Sequence, residues 1–166
     1  MKLKTGDIFT IPIDDARIGL GQIVNIPNKN NFIIIVFKNS YDKNKIPSLE
    51  EIVKSEVLFL GYTLDAKLYH KHWVIIGNYA DNVASIPLPY FKLGTSPDVN
   101  IINYKGDFVR KAKQEEDKYI EYKTVTAPVE YELALKAYHN VVDWEEDFNS
   151  LLYKETLNSI KVVEGR

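Results

Sequence analysis

Cysteine is absent from the 166-residue chain. That excludes disulfide cross-links, thiolate metal ligands and a cysteine nucleophile, and it fits a reducing compartment. No stretch approaches the ~20 apolar residues that a membrane span needs. The opening MKLKTGDIF carries no apolar segment of the signal-peptide type. The expectation is a soluble cytoplasmic protein. A basic surplus is missing too. The net charge is -2 and the pI is near 5.9, without the electrostatic footprint of a nucleic-acid binder. The G-x-S-x-G elbow and the H-E-x-x-H helix do not occur. Gly19-Leu20-Gly21 runs on into strand-like residues instead of a third glycine and a helix, so it does not make a phosphate-binding loop. There is no internal repeat and no low-complexity segment.

The residues present describe an ordinary globular chain, 45% hydrophobic and 27% charged. The length suits one domain over 1–166, strand-rich over 1–110 and helical over 128–157. A chain of this size buries roughly 70% of its unfolded surface, enough for a core without cross-links.

Gly6 to Phe37 reads as three consecutive antiparallel strands. Phe9, Ile11 and Ile13 alternate with Ile8, Thr10 and Pro12 at the strand period. Pro12 cannot donate to a ladder and predicts an unpaired strand edge near its position. Gly19 and Gly21 predict a bulge or a close backbone approach in the second strand. PNKNN, from Pro27 to Asn31, is a turn. Phe32 to Phe37 is continuously apolar, as in a central strand covered on both faces. Bulged and twisted strands of this kind predict a strongly curled antiparallel sheet or half-barrel.

Further on, Ser48 followed by Glu51 is a capping box and opens a short helix. Glu56 to Tyr62 and Trp73 to Gly77 read as strands. Val99 to Val109 reads as a hairpin turning at Lys105-Gly106. The charge run from Lys111 to Lys118 reads as a solvated linker or an exposed helix turn and not as a site. Pro128 then opens a helix, where its missing N–H costs nothing, and Asn140 is its stop. Asp143 to Glu146 repeats the cap pattern and predicts a second helix with Trp144, Phe148, Leu151 and Leu152 on one side, fraying from about Asn158. The fold class is therefore α+β, with a C-terminal helical segment packed on the sheet. That segment is acidic: Val129 to Arg166 holds eight acids against four bases.

Three features bear on chemistry. His70 and His72 would share one face of a strand and could reach one metal ion, given a third ligand such as His139 or a carboxylate. Four acids, Asp143, Glu145, Glu146 and Asp147, crowd one short stretch, where a helix N-terminus would favour them. Tyrosine is abundant, and Tyr62, Tyr69, Tyr79, Tyr90 and Tyr104 fall at strand ends or loops. There they would serve as core-rim residues or as parts of a binding face. None of these is a recognisable catalytic set.

The segments GDIFTIPI…GLGQIV, HWVIIG, PLPYFK and APVEYELALKAYHNVVDWEEDFNSLLY, in this order, resemble the immunity-26 family of bacterial polymorphic-toxin immunity proteins. Gly6, Asp7, Phe9, Pro12, Gly19, Gly21, Trp73, Gly77, Trp144, Leu151 and Leu152 stand at positions of the family pattern. The basic glycine-containing turn usual before the tryptophan is replaced by His70-Lys71-His72. The resemblance implies a non-enzymatic bacterial protein without cofactor, which binds and blocks a cognate toxin domain. Asp143, Glu145, Glu146 and Asp147 would then steer a basic toxin such as a nuclease. Direct nucleic-acid contact is not expected. Two other readings stay open: a nucleic-acid-binding β-barrel domain, since curled β-domains often host such sites, and a metal-dependent hydrolase using His70 and His72.

Overall fold

The computed structural model describes residues 2–165. Its contacts divide the chain into two compact units. Unit 1 holds residues 1–86 and 125–152, and unit 2 holds residues 87–124 and 153–166.

Unit 1 is built on a six-stranded sheet. Its strands are β1 (Asp7–Pro12), β2 (Arg17–Asn25), β3 (Phe32–Phe37), the two-residue β4 (Tyr41–Asp42), β5 (Val57–Thr63) and β6 (Ile75–Asn78). The order is β5-β3-β2-β1-β6, with β4 also on β2, and all these pairs are antiparallel. All six residues of β3 are buried, as the apolar run predicts for a strand covered on both faces. Pro12 pairs with Ile18 on one side, whereas the β6 partnership of β1 stops at Phe9. The missing N–H of Pro12 therefore falls where no neighbour needs it.

The sheet does not close, and the curled half-barrel expectation is corrected. Its end strands β5 and β6 do not pair with one another. The glycines of β2 do not supply the bulge expected of them. Pairing with β1 runs unbroken through Ile11↔Gly19 and Phe9↔Gly21, and the register shift of β2 lies further on, between Ile23 and Asn25. Gly19 and Gly21 do not bend the strand; they leave room above it. A Cβ at Gly19 would collide with Leu135, and one at Gly21 would sit 2.5 Å from the Phe9 ring.

Leu135 belongs to α3 (Pro128–Tyr138), which opens with Pro128 at its first turn as expected. The helix ends in a Schellman arrangement. Asn140 is left-handed at φ 65°, its N–H bonds Ala137 O at 3.0 Å, and the Val141 N–H reaches back to Lys136 O at 2.9 Å. Tyr131, Ala134 and Leu135 enter the core with Phe9, Ile11, Ile34, Phe59 and Trp73. The Tyr131 hydroxyl donates to Tyr62 O at 2.9 Å, directly above Gly61. Burial pushes that phenol's pKa up. Tyr138, three residues beyond Leu135, is exposed.

Two short helices complete the sheet connections. In α1 (Leu49–Ile52) the Ser48 side chain accepts from the Glu51 N–H, the bond a capping box predicts. The second is α2 (Ala66–Tyr69).

Unit 2 carries β7 (Phe91–Leu93), β8 (Asn100–Ile102) and β9 (Phe108–Lys111) as a three-stranded antiparallel sheet. The β8–β9 hairpin turns at Gly106, whose φ is 91°. A 3₁₀ turn, Glu116–Tyr119, and α4 (Tyr153–Glu164) complete it. The helix keeps its hydrogen-bonded form past Asn158 to Glu164, where fraying was expected. Among the described residues, no helix is long and apolar enough to cross a membrane.

Candidate functional site

The acidic stretch follows the end of α3 directly. A continuous helix from Asp143 does not form. Residues 141–145 are non-helical, a 3₁₀ helix spans Glu146–Leu151, and Leu152 is extended at φ -61° and ψ 135° before α4 begins. The break ahead of α4 has a long-range cause. Leu152 forms an antiparallel bridge to Phe59 on the edge of β5, and a residue held in that bridge cannot continue a helix. Nor is Asp143 a cap. The residue ahead of the 3₁₀ helix is Glu145, and its side chain makes no capping bond.

The outcome is a short, firmly seated exposed segment. Phe148 and Leu151 are buried beneath it. Asp143, Glu145, Glu146 and Asp147 are all exposed. Trp144 lies among them and is 38% exposed. Its ring meets Phe148 edge-on, with centroids 5.5 Å apart, and stacks towards Phe59 at 6.4 Å. Its indole N–H donates to Asn149 Oδ1 at 3.0 Å. Val141 and Val142, just before it, are exposed at 41% and 40%. The sequence pattern marks the four acids but assigns Trp144 to an inward helix face and does not single out the two valines. The signal available was the adjacency of Val141, Val142 and Trp144 to four acids.

The histidines fall elsewhere. His70 closes α2 and Lys71 is left-handed at φ 60°, so His70 and His72 lie on a turn and not on a strand face as expected. Both are exposed, with ring centroids 6.2 Å apart. Among the described residues, no group of three or more histidines and acids is placed to hold a metal ion. His139 stands apart at the end of α3, its Nε2 buried without a hydrogen-bond partner. Burial lowers its pKa, against a hydrogen bond to the Lys38 backbone.

The tyrosines are divided. Tyr62 is interior and Tyr69 is 66% exposed. Tyr79, Tyr90 and Tyr104 are half-buried, as core-rim residues would be.

Several positions of the family pattern prove to be architectural. Trp73, 1% exposed, stacks on Phe9 at 5.2 Å and 10°. Its indole N–H donates to Glu132 Oε1 at 3.1 Å. The other oxygen of this buried carboxylate meets Lys67 and Lys136, each at 3.6 Å. Asp7 accepts from the Lys4 N–H and the Asn78 side chain, both at 2.9 Å, beside left-handed Gly6 at φ 97°. Buried Gln22 donates to Tyr79 O at 2.6 Å and exchanges bonds with Asn82. These groups hold strand ends and loops in place, and each buried polar atom among them has its partner.

No curated protein and no solved structure shows a significant match to the chain. The pattern of one protein family does match, over residues 4–100, which is more than half of the sequence. The match contains Gly6, Asp7, Gly19, Gly21, Trp73 and Gly77. It ends before Trp144, Leu151 and Leu152, so the resemblance seen in the C-terminal segment lies outside it. The chain thus belongs to the family described as Immunity protein 26.

Proposed function

We propose that the chain is the immunity partner of a bacterial polymorphic toxin. It neutralises the cognate toxin domain by direct protein–protein binding in the cytoplasm, with no bond made or broken by its own side chains. Family membership supports an immunity role. The observation that carries the choice of surface is the exposed run from Asp143 to Asp147, seated on buried Phe148 and Leu151. Four carboxylates held on a firm base produce a local negative field. Such a field accelerates encounter with a basic surface and disfavours acidic competitors. A toxin that acts on nucleic acid needs a cationic cleft for its phosphates, so a nuclease domain suits this surface best.

The test is charge reversal of Asp143, Glu145, Glu146 and Asp147 to lysine. The partner for this test is the effector domain of the cognate toxin, which the proposal expects to be encoded immediately upstream of the gene. The expected result is a slower association rate and a reversed or flattened dependence on salt, with the fold intact by circular dichroism. Unchanged association kinetics at low and high salt would remove this surface from the account.

A further inference from the structure

Resting on that reading, we propose that Trp144, together with Val141 and Val142, is the apolar anchor of the interface. It would seat in an apolar slot within a basic protein surface. The argument starts from exposure. Three apolar side chains within four residues stand 38–41% exposed, next to a sheet whose interior is almost fully covered. Trp144 is also preorganised. Phe148 on one side, Phe59 on another and the bond to Asn149 hold the indole in one place. A ring held this way loses little conformational entropy on binding. Tryptophan is also the residue type that most often dominates interface energetics.

Charge selects the occupant. Asp143, Glu145, Glu146 and Asp147 interleave with and follow the anchor in sequence. An acidic or neutral partner would meet repulsion or uncompensated desolvation there. A partner presenting lysine and arginine around an apolar slot meets paired charges and, against the exposed part of the indole, a cation–π contact. A second copy of the chain would bring the same four acids to the contact and is disfavoured on that ground.

The test measures binding to the catalytically disabled upstream effector domain. The variants are Trp144→Ala and Val142→Arg, with Tyr119→Ala as a control at an exposed site in unit 2. The proposal expects Trp144→Ala to weaken binding about thirty-fold or more, mostly through faster dissociation. Val142→Arg, which removes apolar surface and adds a like charge, should weaken it comparably, while Tyr119→Ala stays at wild type. Val142→Arg does not remove the Phe148 contact, so it keeps the test valid if Trp144→Ala melts early. Binding by both variants within about threefold of wild type would overturn the anchor while leaving the immunity reading intact. A wild-type protein that fails to bind the effector would overturn both. A wild-type dimer that Trp144→Ala dissolves would overturn the choice of partner.

Discussion

The two units are stabilised in different ways. Unit 1 is held by steric fit: aromatic and branched side chains fill both faces of its sheet, and glycines are placed where a helix side chain or a ring must touch the backbone. Unit 2 has a much thinner interior, with Val99, Ile101, Ile102 and Ile120 as its large buried apolar side chains among the described residues. It relies on polar links. Arg110 and Glu116 form a two-pronged ion pair at 2.8 and 2.9 Å. Arg110 also donates to Val163 O near the end of α4, and the Tyr90 N–H donates to Ser159 at 3.1 Å. Unit 2 also leaves Leu93 and Phe108 more than half exposed. The lesson is that a well-packed sheet resists change in volume, whereas a small sheet tied by charges resists change in protonation.

The sharpest break in that contrast is Trp73→Ala. It removes a fully buried ring and leaves Glu132 without the indole donor. The expected loss is about 3–5 kcal/mol, read as a fall in unfolding midpoint and in hydrogen-exchange protection of β1 and β6. Gly19→Ala comes next. The added methyl meets Leu135, and overpacking of this kind costs about 1–3 kcal/mol. Pairing it with Leu135→Ala should recover part of the Gly19→Ala penalty in a double-mutant cycle, and full additivity would show that the two do not touch.

Effects in unit 2 are smaller and follow pH. The Arg110 guanidinium, helped by the Lys113 N–H, holds the Glu116 carboxyl at about 2. Its folded value lies below its unfolded one, so the stabilisation is present above about pH 4.5 and fades as pH falls towards 2. Glu116→Gln should cost about 1 kcal/mol at neutral pH, discounted for partial solvent access, and should abolish that acid-side slope. An unaltered slope would move the titration to another group. The smallest effect concerns His139. Its folded pKa is lowered by burial, so the unfolded chain takes up the proton first and stability declines as pH falls below about 6.5. His139→Gln should flatten that decline by a few tenths of a kcal/mol.

What could be read from the chain beforehand was what depends on neighbours in sequence. The apolar run of β3, the Ser48 capping box, the opening of α3 at Pro128 and its stop at Asn140 all rest on local patterns. What escaped depends on residues far apart. The helix expected from Asp143 is interrupted because Leu152 bridges to Phe59. The pairing of Trp73 with Glu132 spans 59 positions. The two histidines left the expected strand because the chain forms one turn of α2 just before them. The acids of the candidate surface were visible as composition. The exposed Trp144 among them was not, since its contacts with Phe59 and Phe148 depend on the folded chain and not on the helical spacing it shares with Phe148.

The most direct measurement of the central claim is a titration of this protein into an activity assay of the upstream effector domain. Blocking by occupancy predicts that inhibition rises linearly and saturates at one molecule per toxin, with no dependence on incubation time and full recovery of toxin after the complex is dissociated. Silencing of the toxin by far fewer molecules, progressing with time and surviving separation, would mean that this protein acts by catalysis and would contradict the account.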